Sequence, residues 1–71
     1  MDTVVGAAEH GYKPIKAKTA PFFSHGQKVF NKGSKYITPD VDSHIGGVWK
    51  MFDKKGRRLG TYDKDLNKIG K

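Results

Sequence analysis

Residues 48–62, with the sequence VWKMFDKKGRRLGTY, decide the fold. Two runs rich in aromatic and apolar residues flank the segment DKKG at 53–56. Gly56, at the end of that segment, can adopt the positive φ of a type I turn with a G1 bulge, which is a common way to close a β-hairpin. The stretch therefore predicts two antiparallel strands joined by a tight turn.

The flanking segments repeat this pattern of short strands and turns. Residues 27–38 hold two strand-like runs around NKGS at 31–34, and this composition predicts another hairpin. A further turn at 63–67 leads to a short last strand at 68–70. We therefore predict a mainly β fold, a small and strongly twisted antiparallel sheet of hairpins with an N-terminal arm or short helix. The aromatic residues expected in its core are Phe30, Tyr36, Trp49 and Phe52.

The first twenty residues differ in composition from the rest. A short apolar stretch near the N-terminus fits one or two helical turns only, because glycines interrupt it. Residues 13–21 are rich in lysine and proline, which favours an extended basic linker. We expect residues 1–20 to form a linker or N-terminal arm and residues 21–71 to form the β domain, with Phe22 and Phe23 fixing the arm onto the sheet.

The composition limits the class of protein. The chain has 71 residues and no cysteine, which allows one domain and excludes disulfides, thiolate zinc sites and doubly wound cofactor-binding enzymes. No apolar run approaches the roughly 20 residues that span a bilayer, so we expect no stable membrane association. Fourteen Lys and Arg against seven Asp and Glu give a net charge of +7. Such a basic domain favours a polyanionic partner, either nucleic acid or an acidic protein.

The segment DVDSHIGGVWKM at 40–51 carries the residues with the most chemistry. If it is extended, its side chains alternate between two faces, and one face collects Asp40, Asp42, His44 and Lys50. The other face collects mostly apolar side chains that suit a core. We therefore predict a strand face that presents two carboxylates, an imidazole and an ammonium group.

These groups can cleave RNA without a metal ion. The ribose 2′-hydroxyl must lose a proton as it attacks the adjacent phosphorus, the departing 5′-oxygen must gain one, and the phosphorane needs a cation beside it. His44 titrates near neutral pH and can move a proton, a neighbouring aspartate can orient it, and Lys50 can stabilise the charge. We expect no metal and no cofactor.

Two plainer alternatives stay open for the same segment. Aspartates that follow a proline often form turn and cap hydrogen bonds without any further function. Alternatively, Asp40, Asp42 and His44 could ligate a metal, although three ligands on one strand without a fourth are weak support for such a site.

The order of motifs resembles a known family. The segments NKGSKYITPD at 31–40, Ser43-His44 and LGTYD at 59–63 resemble the cytotoxic domain of the ribosome-cleaving colicins. The resemblance covers roughly residues 28–70, and the chain is also similar to C-terminal domains of contact-dependent growth inhibition toxins.

This resemblance implies positions for the catalytic residues. Asp40 and His44 fall on the family's catalytic Asp and His, with three residues between them instead of two and with Asp42 in the gap. Val48 stands where the colicins carry a catalytic Glu. Either Asp40 or Asp42 then takes the carboxylate role, or His44 acts as the base.

The resemblance also implies a function. Such domains are toxin ribonucleases that cut small-subunit (16S) ribosomal RNA at the decoding centre, and a cognate acidic immunity protein neutralises them. We accordingly expect a ribosome-directed, metal-independent endoribonuclease that is secreted or surface-delivered as part of a larger toxin. It would act in the cytoplasm of the target bacterium. A toxin ribonuclease for transfer RNA and a non-catalytic RNA-binding β module are the alternatives.

Basic side chains cluster at the predicted hairpin turns, where they can contact RNA phosphates. Those expected to do so are Lys54, Lys55, Arg57 and Arg58 on the second hairpin and Lys32 and Lys35 on the first, with Lys28 nearby. The plainer alternative is a solvated, charged hairpin tip. Asp40 and Asp42 run against this basic trend, and carboxylates facing phosphate favour catalysis over simple binding.

Overall fold

The computed structural model describes residues 3–41 and 48–71. The elements in these ranges are α1 (Thr3–Glu9), β1 (Lys13–Ile15), a 3₁₀ turn (Ala17–Thr19), β2 (Val29–Lys32), β3 (Lys35–Pro39), β4 (Trp49–Asp53), β5 (Arg58–Tyr62) and β6 (Lys68–Gly70). The six strands form one antiparallel sheet in the order β1-β2-β3-β4-β5-β6, so each strand pairs with its neighbours in sequence. The predicted fold class, mainly β with a short N-terminal helix, is confirmed.

Both predicted hairpins form, and a glycine with positive φ lies in each turn. The turn between β2 and β3 contains Gly33, with a φ of +58°, and the turn between β4 and β5 contains Gly56, with a φ of +81°. In the second turn the N–H of Gly56 donates to the carbonyl of Asp53, and the N–H of Asp53 donates to the carbonyl of Arg57, both at 3.0 Å. These two hydrogen bonds are those of the predicted type I turn with a G1 bulge.

One face of the sheet forms the hydrophobic core. Strand pairing places Phe30 opposite Ile37 and Ile37 opposite Met51. Trp49 lies two residues from Met51 on the same face, and all four side chains are buried. The predictions for Phe30 and Trp49 are therefore confirmed.

A β-bulge in β5 changes the register beyond the second turn. Phe52 pairs with Arg58, but Met51 pairs with Gly60, so Leu59 is the extra residue. As a consequence Lys50 lies opposite Thr61 instead of Gly60. The bulge thus decides which side chains of β5 accompany Lys50.

The N-terminal segment packs on the same core. Ala7 of α1 is fully buried and Tyr12 is nearly so, and both contact the core cluster of the sheet. Burial, and secondarily the nearby Tyr62, raises the pKa of the Tyr12 phenol.

Residues 13–15 were expected in an extended linker, but they form the edge strand β1, which pairs with β2. The domain boundary at residue 20 stays a prediction. Within the described residues, no helix is long and apolar enough to cross a membrane.

Residues 16–28 cross the other face of the sheet. Phe22 stacks on Phe52 with ring centroids 3.8 Å apart and meets Tyr36 edge-on at 6.1 Å. Tyr36 and Phe52, expected in the main core, belong instead to this second aromatic cluster. Phe22 fixes the segment to the sheet, but the same prediction for Phe23 is wrong, because Phe23 is 76% exposed.

Candidate active site

Asp40 lies at the base of the connection between β3 and β4. Strand β3 ends at Pro39, strand β4 begins at Trp49, and the N–H of Asp40 donates to the carbonyl of Val48 at 2.9 Å. The chain therefore reverses direction between Asp40 and Val48, and the predicted single extended strand over 40–51 is wrong. Alternation with a period of two does not distinguish one long strand from two strands separated by a connection.

Two of the predicted catalytic residues belong to this connection. Asp42 and His44 lie outside the described residues, so their placement stays a prediction. The connection is nevertheless located, because Asp40 and Val48 hold its two ends together through a backbone hydrogen bond.

Lys50 lies in a polar row on the face of the sheet that is opposite to the core. Strand pairing places Thr38 on one side of Lys50 and Thr61 on the other. Asp40, two residues beyond Thr38, lies on the same face by strand alternation. The structure therefore brings Asp40 and Lys50 to one face from two neighbouring strands.

Arg58 reaches from β5 into the same group. Its Nη2 donates to Oγ1 of Thr61 at 2.7 Å and lies 3.9 Å from Oδ2 of Asp40. The Thr61 hydroxyl donates its own proton to the carbonyl of Lys71 at 3.3 Å, which leaves its oxygen lone pairs for the guanidinium. Thr61 is buried, so its side chain has a fixed position. The hydrogen bond to its hydroxyl therefore also fixes the end of the Arg58 side chain.

The charges of Asp40, Lys50 and Arg58 suit the binding of an anion. The Asp40 side chain is 7% exposed and that of Arg58 is 37% exposed. A carboxylate so shielded from water needs a cation beside it, and the guanidinium provides one. At 3.9 Å the two groups attract each other without a hydrogen bond, so N–H groups of Arg58 remain for a ligand. With Lys50 nearby, the site can stabilise a phosphate that gains negative charge.

The other predicted RNA contacts lie at the opposite end of β3 and β4. Lys32 pairs with Lys35, and Lys35 pairs with Asp53, so the two hairpin turns lie side by side. Lys54 and Lys55 are exposed in the second turn. The hairpin ends thus form one basic end of the sheet, separate from the group around Asp40.

Two of these basic residues have partners within the chain. The Nζ of Lys32 donates to the carbonyl of His10 at 3.1 Å and lies 5.9 Å from the centre of the Tyr12 ring. The Nε of Arg57 forms an ion pair with Oδ2 of Asp53 at 2.8 Å. Lys32 and Arg57 therefore stabilise local structure, and phosphate would have to compete with these contacts.

Thr38 and Thr61 are site residues that the sequence analysis missed. If β4 and β5 paired without a bulge from the turn at 53–57 onward, Gly60 would lie opposite Lys50 and Thr61 would point toward the core. The bulge at Leu59 moves Thr61 to the polar face instead. Gly60, a glycine inside the predicted strand, is the local signal that could have indicated this bulge, and the predicted hairpin already placed Thr38 close to the polar segment.

The described residues hold no obvious metal site. Within residues 3–41 and 48–71, no group of three His, Asp or Glu side chains could hold a metal ion. The metal alternative considered above needs Asp42 and His44, which lie outside these ranges, so it stays untested. What the described groups offer is two cations and one carboxylate, which suit a phosphate.

Comparisons with known proteins identify relatives of the chain. The family described as Novel toxin 21 (Ntox21) matches residues 6–71, which include all six strands. Over 56 residues, or 78% of this chain, the sequence is 59% identical to a protein of Enterobacter cloacae named 16S rRNA endonuclease CdiA, of whose length the chain spans about 2%. A solved structure, described as the CdiA-CT/CdiI toxin and immunity complex from Enterobacter cloacae, is similar with a TM-score of 0.79 and 49% identity. That match covers 99% of this chain and 95% of the other.

Proposed function

The chain belongs to the Ntox21 family of toxins, and we propose that it is an endoribonuclease that cuts 16S ribosomal RNA at the decoding centre and thereby blocks translation. The relative named 16S rRNA endonuclease CdiA supports this substrate, because the 59% identity extends over most of this chain. The observation that carries the chemistry is the face on which Asp40, Lys50 and Arg58 lie together.

The charges of this face support phosphate chemistry. Arg58 is held by Thr61, so its guanidinium is already oriented before a ligand arrives. Preorganised cations stabilise a transition state more than mobile ones, because they need not reorganise as charge develops. Lys50 adds a second positive group in the adjacent strand, and together the two can balance the extra charge of a pentacoordinate phosphorus.

The proposed reaction needs no group beyond the chain and its substrate. The ribose 2′-oxygen forms a bond to the adjacent phosphorus while the bond from phosphorus to the 5′-oxygen breaks. One strand then ends in a 2′,3′-cyclic phosphate and the other begins with a 5′-hydroxyl. His44 takes the 2′-hydroxyl proton or gives a proton to the 5′-oxygen, since an imidazole can do either near neutral pH.

The two aspartates have different neighbours, which supports different roles. Asp40 faces Arg58, so we assign it to holding the guanidinium in the site. This leaves Asp42, two residues from His44 in sequence, as the carboxylate that orients the imidazole. Asn substitution tests the assignment, because Asp42→Asn should change the pH profile of cleavage and Asp40→Asn should mainly weaken phosphate binding.

Cleavage of intact ribosomes in EDTA tests the proposed function directly. The purified chain is incubated with ribosomes, and new RNA ends are mapped by primer extension. We expect one new end in 16S RNA, absent with His44→Ala. Intact 16S RNA at micromolar protein would contradict the proposal, ends in transfer RNA would favour the alternative substrate, and cleavage that EDTA abolishes would refute metal independence.

Lys50 offers a sharper test of the site because a matched lysine lies on the other face. Lys50→Ala should lower the cleavage rate more than about tenfold, the scale of one electrostatic group. Lys68→Ala is the control, since the Lys68 side chain passes over Gly60 on the core side of the sheet. Equal rates in the two variants would contradict a catalytic role for Lys50.

We also propose the partners of such a toxin. The solved relative is a toxin and immunity complex, which supports a cognate immunity protein for this chain. With a net charge of +7, the chain favours an acidic one, since complementary charge speeds association. The CdiA relative is far longer than this chain, which supports delivery at the cell surface as part of a larger protein. The site of action is then the cytoplasm of the target bacterium, where ribosomes are found.

A further inference from the structure

One aromatic side chain of residues 16–28 faces solvent although its neighbour is anchored. Phe22 stacks on Phe52, whereas Phe23 is 76% exposed. A single exposed ring needs no explanation by itself. This ring, however, lies against a second one: the Phe23 and His25 ring centroids are 4.5 Å apart and their planes meet at 56°. Two solvent-facing rings in contact form a defined surface.

A strained turn holds the second ring in place. The N–H of Gln27 donates to the carbonyl of Ser24 at 3.0 Å. Between them, His25 and Gly26 have φ values of +55° and +81°, which is the pattern of a type I′ turn. Glycine adopts such angles freely, but histidine does so only at an energetic cost. Strain of this kind is concentrated at functional sites.

An apolar groove with one lysine in its lining adjoins the two rings. It has a volume of about 640 Å³, and its lining includes Pro21, Phe22, Phe23 and Lys18. Residues 16–28, which supply this lining, contain three lysines and no acidic residue. An apolar floor beside a cationic side chain matches a nucleobase joined to a phosphate, which presents a flat ring and negative charge together.

The groove adjoins the same face of the sheet as the candidate active site. Thr38, which flanks Lys50, donates its hydroxyl to the carbonyl of Lys28 at 2.7 Å, so the end of the 16–28 segment lies against the polar row. Near its middle, Pro21 packs against Gly56, where a Cβ would collide with the Pro21 carbonyl oxygen. The segment therefore lies between the polar row and the basic second turn.

We propose that Phe23 and His25 form a stacking platform for an unpaired base of the RNA substrate. The inference rests on the proposed function for the identity of the substrate and adds a binding site away from the cut. RNA contacted in single-stranded regions is held by aromatic stacking because every base has a π-face. Lys18, in the lining of the groove, holds an adjoining phosphate, and the RNA strand continues across the polar row to Lys50.

Binding of an uncleavable RNA tests the platform without depending on catalysis. The probe is a single-stranded 2′-O-methyl oligonucleotide with one 2-aminopurine, whose blocked 2′-oxygens cannot attack phosphorus. We expect 2-aminopurine quenching with the wild-type chain and a Kd at least about fivefold weaker for Phe23→Ala. Phe23→Trp should keep the affinity and Phe23→Leu should not, because stacking needs a ring and not merely apolar surface. The melting temperatures should match, since the Phe23 side chain is exposed.

Distinct outcomes separate this inference from the proposed function. If the wild-type chain cuts 16S RNA while Phe23→Ala binds the probe normally, the platform is refuted and the function stands. If the probe binds through Phe23 but 16S RNA is not cut, the function fails and the platform stands. Equal affinities for Phe23→Leu and Phe23→Trp would also overturn stacking. Weakened binding of the immunity protein alone would assign the rings to a protein interface instead.

Discussion

Arg57 and Arg58 are neighbours with the same charge but opposite surroundings. Arg57 lies in the turn, where its Nε contacts Asp53 at 2.8 Å. Arg58 begins β5, points to the polar face and is held by Thr61 beside Asp40. Arg57 still belongs to the turn and Arg58 is the first residue of β5, so one step in sequence separates a turn ion pair from a candidate active-site cation.

This contrast gives a matched pair of variants. We expect Arg58→Ala to lower the rate of 16S RNA cleavage by at least about tenfold, because it removes a preorganised cation from the phosphate site. Arg57→Ala removes the same charge and should leave the rate near that of the wild type. Arg58→Lys should recover only part of the activity, since an ammonium lacks the planar fork of donors. Primer-extension rates on ribosomes measure all three. An equal loss in both alanine variants would show that only net charge matters.

Substitution by alanine should lower the free energy of unfolding by different amounts at two turn glycines with positive φ. Gly33→Ala adds a Cβ in open space, so only the left-handed backbone opposes it, at roughly 1–2 kcal/mol. Gly56→Ala carries the same backbone cost and also collides with the Pro21 carbonyl oxygen. We therefore expect a loss above about 3 kcal/mol in the free energy of unfolding. Urea titration followed by the fluorescence of buried Trp49 measures both, and equal losses would contradict the close approach.

At the level of elements, the sheet uses the same turn twice. In each turn the first aspartate, Asp53 or Asp63, accepts backbone hydrogen bonds through Oδ1 from the residues two and four positions later, at 2.9–3.0 Å. The left-handed position is Gly56 in one turn and Leu66, with a φ of +59°, in the other. Leu66 packs against the core cluster, which offsets its backbone strain. Both turns therefore depend on a carboxylate that stays ionised.

This dependence predicts how stability changes with pH. Backbone N–H donors, first of all those of Arg57 and Asn67, hold the pKa of Asp53 and of Asp63 below the ordinary value for an aspartate. A depressed folded-state pKa contributes stability above the unfolded pKa, and that stability is lost as pH falls through the folded pKa. The melting temperature should therefore fall on acidification below about pH 5.

An asparagine pair tests this dependence. Asp53→Asn/Asp63→Asn keeps an acceptor oxygen but cannot titrate, so its melting temperature should fall less over the same acidic range. Asp65→Asn is the control, because Asp65 contributes its backbone N–H to the second turn rather than accepting these hydrogen bonds. The same acidic slope in the double variant and the wild type would assign the loss to other carboxylates.

The elements differ in how far sequence could predict them. The hairpins follow from local chemistry, because Gly33 and Gly56 fix the turns and the strands pair with their immediate neighbours. Strand β1 could not be predicted, since its three residues form a strand only by pairing with β2, which lies more than a dozen residues further along the chain. The same limit applies to the site. Asp40 and Lys50 stood out by residue type, but the position of Thr61 beside Lys50, and with it the hydrogen bond that holds Arg58, depends on the bulge at Leu59. Gly60 indicates that a bulge can form there but does not fix its position.

At the level of the whole molecule, the excess charge divides into separate regions. The described structure measures 28 × 23 × 21 Å, which is about three times the Debye length of roughly 8 Å at physiological ionic strength. Charges at opposite ends therefore act nearly independently. Lys54 and Lys55 lie at the hairpin end, whereas Lys64 lies in the turn at the other end of β5. A net charge of +7 is thus a poor guide to which lysines meet RNA.

The salt dependence of RNA binding should distinguish these regions. For single strands the slope of log K against log salt changes by roughly 0.7 for each phosphate that the protein no longer neutralises, because fewer counterions are then released. We expect Lys54→Ala/Lys55→Ala to reduce the slope by about one unit or more, because both exposed side chains belong to the basic hairpin end. Lys64→Ala/Lys68→Ala removes the same charge from the other end of β5 and should change the slope much less.

Fluorescence anisotropy with the uncleavable oligonucleotide from 50 to 200 mM salt, about the range over which such slopes are defined, measures both slopes. Equal slopes would mean that the hairpin end binds no phosphates and that the RNA is held by the polar face and the 16–28 segment alone.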